Sequence, residues 1–577
     1  MRQRKSDGPK KLRFVSDFET TTTEDDCRVW GWGIADIDSA QTVGDVRVGQ
    51  DIKSFLEIME KQSSVVYFHN LKFDGRFILD YLLKHDFHYR ADGLRRGEFS
   101  TLISKMGQFY SITVKWRNGR KTEFRDSLKK LPMGVKALAE AFDLEVAKGE
   151  IDYHSPRPVG HVITPEERHY IALDVLIVAK ALKVQFDTGM EKLTVGSDSL
   201  HEYKEILGAR RWSRMFPILS ETMDNDIRTA YRGGFTYADK RFMGKRVGAG
   251  QTYDVNSLYP SVMYDRLLPW GEPLYVNGYP ETDEDFPLFI TSITFTAKLK
   301  KDHIPCIQVK GSSRFVAVDY QENIEEPVTM HITNVDLALW QQQYDLNIIS
   351  WNGSWLFRGA TGLFCEFIDK WMEVKATSTG GLRALAKLQL NSLYGKFASN
   401  PNVTGKYPYL DENGVVRLKV GPEETKSPVY TAMGVFITAY ARDVTIRAAQ
   451  DNYEHFAYAD TDSLHLLTDT PIGLEIDPHK LGAWKHEYDF QEAIFVRPKA
   501  YIERVGFHHC KAVKKDPAHV HVPSCEYETH IAGLERSIAT SLTFSDIVDK
   551  AKFKKKVPKA VPGGIILTEV DFTLNVW

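Results

Sequence analysis

The sequence predicts an α/β fold spread over several domains, and three observations lead there. Stretches that alternate apolar and polar residues, such as LRFVSDFET at 12–20, stand among stretches with helical periodicity, such as ITPEERHYIALDVLIVAKAL at 163–182. The chain has 577 residues, well past the roughly 250–300 at which single cores stop growing. Acidic residues recur in or beside strand-like segments: Asp17 and Glu19, Asp254 in YDVNSLYPS, and Asp460 and Asp462 in YADTDS.

Composition narrows the class. Hydrophobic residues at 43% and aromatic residues at 12% suit a well-packed protein. No apolar run approaches the ~18 residues of a membrane span, and the basic start MRQRKSDGPKKLR lacks the apolar stretch of a signal peptide. No membrane partner is expected, and a cytoplasmic location is. Five cysteines without a CxxC pattern indicate free thiols in a reducing compartment. His508, His509, Cys510, His519, His521 and Cys525 match the spacing of no common zinc finger, and KKDPAHVHVP among them reads as an exposed loop. A formal net charge of -3 does not exclude nucleic acid, because acidic clusters cancel basic patches such as SLKKLP at 127–132 and AKFKKKVPKA at 551–560.

Along the chain, LRFVSDFET puts Asp17 and Glu19 on one face of a strand. VVYFHNLKFDGRFIL at 65–79 runs from strand into helix with Asp74 at the junction. In 163–182 Thr164 caps a helix, Pro165 takes its first position and Glu166 and Glu167 follow. Tyr170 and Asp174 on that helix share a face. Each of these alone reads as a cap or a turn; together, four carboxylates and a tyrosine can converge.

DTDS alone reads as a solvated turn, but the flanks EHFAY and LHLL make it the acidic tip of a hairpin. In an extended tip Asp460 and Asp462 point to one side. Crowded carboxylates repel until divalent cations sit between them. Oxygen ligands without His or Cys suit Mg2+ or Mn2+, and two such ions about 3.5–4 Å apart serve in-line phosphoryl transfer. GLRALAKLQLNSLYGKF at 381–397 reads as one helix. At 100° per residue Lys387, Asn391 and Tyr394 fall about 40°, about 80° and about 20° from Arg383, so cations, an amide and a ring share a face without acids. KYPYLDENGVVRLKV at 406–420 reads as a protruding β-hairpin turning at 411–414.

DVNSLYPSVM, KLQLNSLYGKFASNP and YADTDS resemble the three polymerase motifs of the B-type DNA polymerases. Their wording is most similar to that of the protein-primed polymerases of the small Bacillus phages, and the likeness runs from about residue 12 to the C-terminus. The resemblance implies a ribonuclease-H-like 3′→5′ exonuclease domain followed by a right-hand polymerase domain with two family-specific insertions. The implied division is a basic tail at 1–12, exonuclease at 13–195, palm at 196–264 and 431–534, insertions at 265–362 and 399–430, fingers at 363–398 and thumb at 535–577. The implied function is template-directed, strand-displacing DNA synthesis with proofreading, primed by protein, on a linear phage genome. Two Mg2+ per site are implied, with Mn2+ able to substitute. Implied partners are primer-template DNA, single-stranded DNA, dNTPs and a terminal protein, with the chain as a monomer or a heterodimer with terminal protein in the cytoplasm of the infected bacterial host.

The same resemblance assigns roles. Asp254, Val255 and Asp462 would hold metal in the polymerising site, with Asp460 assisting. Asp17, Glu19, Asp74 and Asp174 would hold it in a DEDDy-type exonuclease site, where Tyr170 orients the attacking water and Lys148 offsets phosphate charge. Tyr259, Lys375, Arg383, Lys387, Asn391, Tyr394 and Tyr458 would bind the nucleotide, Lys387 and Arg383 at the triphosphate, Tyr394 on the base and Tyr259 excluding a 2′-hydroxyl. Thr20, His69, Asn70, Phe73, Ser127 and Leu128 would hold a single-stranded 3′ end. Tyr231, Arg232, Gly233, Gly234 and Phe235 (YRGGF) would contact template, and Lys499 and Tyr501 the primer. Arg383 stands where lysine is common, and a planar fork is not a point charge.

Overall fold

In the computed structural model, which describes residues 12–144, 151–153, 155–309, 320–506 and 526–576, the N-terminal part builds an eight-stranded mixed sheet. Its central strands are Val29–Asp36, Leu12–Thr20, Ser64–Phe68 and Lys121–Asp126, in that spatial order. Leu12–Thr20 runs parallel to Ser64–Phe68, and that strand parallel to Lys121–Asp126. Parallel neighbours need a crossover, and the Leu71–Lys84 helix lies in the second one. This helix buries Phe77 and Ile78 against Phe18, Phe68 and Phe124 on one face of the sheet. On the other face Val15 and Tyr67 pack with Leu173 and Leu176 of the Pro165–Asp187 helix. That helix starts as its sequence predicts: Glu167 N–H donates to Thr164 Oγ1 (3.2 Å) and Thr164 N–H to Glu167 Oε2 (3.0 Å).

A second sheet is antiparallel, in the order Trp484–Phe490, Gly250–Val255, Ser463–Leu466, Phe456–Asp460 and Thr236–Ala238. The Thr431–Asp451 helix, buried over most of its length, packs behind it. Residues 265–362 contain a four-stranded sheet of Leu268–Val276, Tyr344–Ala360, Leu288–Leu299 and Asn323–Thr333, with the Asn334–Gln343 helix attached. The Cys365–Thr377 and Gly380–Ser392 helices pack together. The expected single helix through 397 is interrupted at Leu393, whose side chain turns into the core, and resumes as Tyr394–Phe397.

Asn402–Leu410 and Val416–Thr425 form the expected hairpin. Asp411 closes its turn by accepting from Asn413 N–H (3.0 Å) and Val415 N–H (2.9 Å). Contrary to a free protrusion, the hairpin leans on the N-terminal sheet. Tyr407 stacks on Tyr89 at 5.6 Å, Arg76 donates to the Val416 carbonyl at 3.0 Å, and Val416 is buried in the sheet's core. Apolar side chains on its strands favour this docking over exposure. A C-terminal hairpin, Lys552–Val561 and Gly564–Thr573, brings its own tip to the same place, where Val415 pairs with Pro562. Gly563 has φ +94°, and a Cβ there would stand 2.1 Å from the Cys27 carbonyl, so only glycine fits. Among the described residues no helix is long and apolar enough to cross a membrane.

Candidate active sites

The first site forms where Gly250–Val255 meets the acidic hairpin. Asp254 pairs with Ser463, and Val255 N–H donates to the Asp462 carbonyl at 2.8 Å, so both aspartates end neighbouring strands at one edge. Burial, then the Asp462 charge, raises the Asp254 carboxyl to about 7; burial also raises Asp462. The tip is not extended as expected. Thr461 has φ +62°, which breaks the alternation, and Asp460 turns to Lys499 Nζ (2.9 Å) and Thr236 Oγ1 (2.9 Å). Asp254 and Asp462, rather than Asp460 and Asp462, are therefore the paired carboxylates. Two half-buried carboxylates, each pushed up by burial and Asp254 also by the charge of Asp462, suit a divalent cation with oxygen ligands. No three His, Cys, Asp or Glu side chains among the described residues close around one point. That is compatible with Mg2+, which takes one or two carboxylates and completes its shell with water and substrate phosphate.

Cations face this pair. Arg383, Lys387 and Asn391 are exposed on the Gly380–Ser392 helix, while Leu385, Ala386, Gln389 and Leu390 of the opposite face are buried. Lys375 joins them, its Nζ 3.3 Å from Ser257 Oγ. Burial first, then Lys387, Arg383 and Lys485, push the Lys375 ammonium pKa down, which places these cations in one neighbourhood. Arg383 also donates to the Lys375 carbonyl. Tyr394 stacks on Tyr259 with centroids 3.9 Å apart and planes at 15°.

Several predicted contacts turn inward. Tyr458 is fully buried against Phe495, and its hydroxyl accepts from Lys499 N–H at 2.9 Å, so it supports the strand from beneath instead of lining the nucleotide face. Tyr501 packs beside Tyr458 and His465. In YRGGF, Phe235 is fully buried with Tyr237 and Tyr320. Arg232 donates to the carbonyls of Ala230 and His331. Neither side chain is presented to DNA; Gly233 is the exposed position of the segment.

The second site lies in the N-terminal sheet. Asp17, Glu19, Asp174 and Tyr170 line one cavity of about 930 Å³ together with Thr20, His69 and Phe73. Asp74 is buried behind it and accepts from Phe18 N–H at 3.2 Å, between the two acidic residues of the strand. Burial, then the charges of Asp17 and Glu19, hold the Asp74 carboxyl well above its usual range, so these groups crowd one another. Burial, then a 2.6 Å hydrogen bond with Tyr153, keep the Tyr170 hydroxyl protonated far above ordinary pH. Ser127 and Leu128 stand behind the cavity wall: Ser127 Oγ is 2.9 Å from His69 Nδ1, and Leu128 N–H donates to Asp126. Asn70 starts the Leu71–Lys84 helix with φ 84°. Lys148 and the 508–525 histidine and cysteine group lie outside the described residues.

Some contributors escaped the sequence reading. Asp17 pairs with Gly33 and Glu19 with Gly31, and the missing side chains let Ile171 and Val175 approach, which brings Tyr170 and Asp174 to the carboxylates. Two glycines spaced i, i+2 within VWGWGIAD were a usable signal, since glycine inside a strand marks close approach. Lys485, opposite Asp254 in register, Tyr153, and the cavity residues Leu567 and Glu569 of the C-terminal hairpin carried no local signal, whereas Lys556 of the same cavity stands in the basic run at 551–560.

A sheet edge with paired carboxylates opposite a cationic helix is the architecture of a polymerase palm facing its fingers. The sequence matches the family described as DNA polymerase type B, organellar and viral, over residues 56–157 and 154–470. It is 46% identical over 572 residues to the DNA polymerase of Bacillus phage Nf, covering 97% of this chain and 99% of that one. The structure is similar to phi29 DNA polymerase complexed with primer-template DNA and incoming nucleotides (TM-score 0.90, 44% identity, 98% of this chain and 100% of that one). It is equally similar to the same enzyme with single-stranded DNA (TM-score 0.90, 43% identity, same coverage). The chain belongs to the type B DNA polymerases of organelles and viruses, in the group of the Bacillus phage enzymes. It is a template-directed DNA polymerase with exonuclease, palm, fingers and thumb domains.

Proposed function

We propose that this polymerase also trims 3′ ends of single-stranded DNA, and that the two activities use separate carboxylate sets with Mg2+ at each. The observation that carries the proposal is the separation itself: Asp254 and Asp462 stand in the palm sheet, whereas Asp17, Glu19, Asp74 and Asp174 stand in the N-terminal sheet. In the palm Asp254, Asp462 and the Val255 carbonyl would hold Mg2+ or Mn2+. Bound there, the ions supply charge neutralisation at the nucleotide phosphates and acidify the attacking hydroxyl. Lys387, Arg383 and Lys375 attract the triphosphate. The Tyr259 and Tyr394 rings present a flat wall for the base and sugar. In the second site Tyr170, kept protonated, donates a hydrogen bond that orients water. Phe73 offers a face on which an unpaired base stacks, at about 1–3 kcal/mol.

The DNA and nucleotide partners bound by phi29 polymerase fit these surfaces. The proposal extends to two family-specific insertions at 265–362 and 399–430 and to initiation from a terminal protein, supported by the resemblance of DVNSLYPSVM, KLQLNSLYGKFASNP and YADTDS to the motifs of protein-primed polymerases. The test is a pair of substitutions assayed for both activities. Asp254→Ala is expected to abolish nucleotide addition and keep trimming; Asp17→Ala is expected to do the converse. One change that removes both from a folded protein would refute the division.

A further inference from the structure

We infer that the exonuclease domain takes part in nucleotide addition: Phe142 is a positioning residue for the helix that carries Arg383 and Lys387, and sets how far those cations reach toward the triphosphate. The inference rests on the reading of the Gly380–Ser392 helix as the one that binds triphosphate. Arg383, Lys387 and Asn391 are exposed on one side of that helix. Its other side lies against the exonuclease domain. Phe142 ends the Val135–Ala141 helix, is 5% exposed, and shares a core with Leu131, Leu138 and Leu176. Ala384 of the nucleotide helix packs on the same core. A Cβ on Gly381 would stand 2.6 Å from Phe142 Cδ1 and 3.2 Å from its Cε1, and one on Gly380 would stand 3.4 Å from the Phe142 carbonyl oxygen. Glycine allows this approach, so the first turn of the helix rests directly on the ring. Gly380 also holds a left-handed φ of +53°, which turns the chain into the helix at the point of contact.

The far end of the helix has a second support. Gln389 is fully buried; its Oε1 accepts from Ser199 Oγ at 2.6 Å and its Nε2 donates to Met190 Sδ at 3.0 Å. Met190 is held in turn by the buried Lys130 ammonium, which donates to the carbonyls of Met190 and Lys192 at 3.0 Å each and to Asp198. The support at Gln389 is made of hydrogen bonds with preferred lengths. The support at Phe142 is a carbon surface, from which a helix can be pushed off without breaking any bond. A carbon added at Gly381 therefore lifts the first turn by about 1 Å, to ordinary carbon contact, and tilts the helix about Gln389. At 1.5 Å per residue Arg383 stands about 9 Å from that pivot and Lys387 about 3 Å, so both cations move and Arg383 moves more. The Val135–Ala141 helix lines the trimming cavity at its other end through Val135. One short element thus touches both candidate sites.

The experiment measures kcat and KM for dNTP in primer extension by the full chain and by its Gly381→Ala, Phe142→Leu, doubly substituted and Lys387→Ala variants, with thermal melting of each. Alanine is the better helix former, so Gly381→Ala does not weaken the helix itself. Its KM is expected to rise about three- to tenfold with kcat held within about twofold, short of the roughly tenfold or more that loss of a whole charge-assisted bond brings. Phe142→Leu, which trims the ring but keeps the core apolar, is expected to give a smaller rise. Combined, the shorter side chain makes room for the added methyl, and KM is expected to fall below that of Gly381→Ala, the non-additivity of two groups in contact. Where the double variant does not fold, Gly381→Ala decides alone. Wild-type KM in Gly381→Ala, a change confined to kcat, or effects that multiply in the folded double variant would overturn the inference. Unchanged KM in Lys387→Ala would instead overturn the reading of the helix, whereas raised KM in Lys387→Ala beside wild-type KM in Gly381→Ala would strike the role of Phe142 alone.

Discussion

Gly33→Ala tests how the proposed trimming site is assembled. The added carbon would stand 2.8 Å from Ile171 Cγ2, 3.0 Å from Val175 Cγ2 and 3.4 Å from the Ile171 carbonyl. Carbon atoms in ordinary contact lie about 3.5–4.0 Å apart, so the Pro165–Asp187 helix must retreat by about 1 Å. Ile171 is adjacent to Tyr170 and three residues before Asp174, while Gly33 is paired with Asp17. The retreat therefore carries Tyr170 and Asp174 away from Asp17 and Glu19. Overpacking of this size costs about 1–3 kcal/mol, which leaves most of a domain's stability of about 5–15 kcal/mol intact. A misplacement of about 1 Å costs up to about a hundredfold in rate. The assay is release of 3′ nucleotides from single-stranded DNA beside primer extension by the same preparation. Trimming is expected to fall about ten- to hundredfold and extension to stay unchanged, because Asp254 stands in another sheet. Gly31→Ala, whose Cβ would meet Ile171 Cδ1 at 3.1 Å and Glu19 Cβ at 3.5 Å, should lose less. Wild-type trimming by Gly33→Ala would refute the spacing role of the cross-strand glycines.

Lys387→Ala should mainly raise the nucleotide concentration needed for half-maximal extension, by about 1.5–3 kcal/mol of lost charge-assisted contact; an unchanged requirement would remove Lys387 from the triphosphate. Tyr259→Val, which removes the ring stacked on Tyr394, should raise the ratio of ribo- to deoxynucleotide incorporation in competition assays, and an unaltered ratio would rule out a sugar-excluding role. Replacing residues 403 to 426 with a short Gly/Ser linker should spare gap filling and reduce both strand displacement and the length copied per encounter. Equal progress of that variant through gap and duplex would show that the hairpin does not separate strands.

What the sequence disclosed were features set by neighbours in the chain. The Thr164 cap, the exposed face of Arg383, Lys387 and Asn391, and the turn at Asp411 all follow from local periodicity or turn chemistry, and all are seen. What it concealed depends on partners far away. Asp460 was grouped with Asp462 because alternation assumes an extended tip, yet Lys499, 39 residues on, captures it once Thr461 turns left-handed. Arg232 and Phe235 were assigned to template through the resemblance of YRGGF to a family motif, which says nothing of where each side chain points; the carbonyl of His331, 99 residues away, and the ring of Tyr320 draw them inside. Tyr458 is hidden by Phe495 and Tyr501 of a different sheet. No window of sequence holds both members of such pairs.

The shared resting place of the two hairpin tips limits how the enzyme can be re-engineered. Val416, Val561, Ile565 and Ile566 belong to the same core as Phe77 and Ile78. Excising the first two hundred residues as a module would leave these four aliphatic side chains facing water, at about 1.5–3 kcal/mol each. The truncated protein would carry a sticky apolar patch on two loosened arms. The proposed trimming site is better disabled by altering single carboxylates than by deletion, because the N-terminal sheet is also the bench on which the later hairpins are clamped.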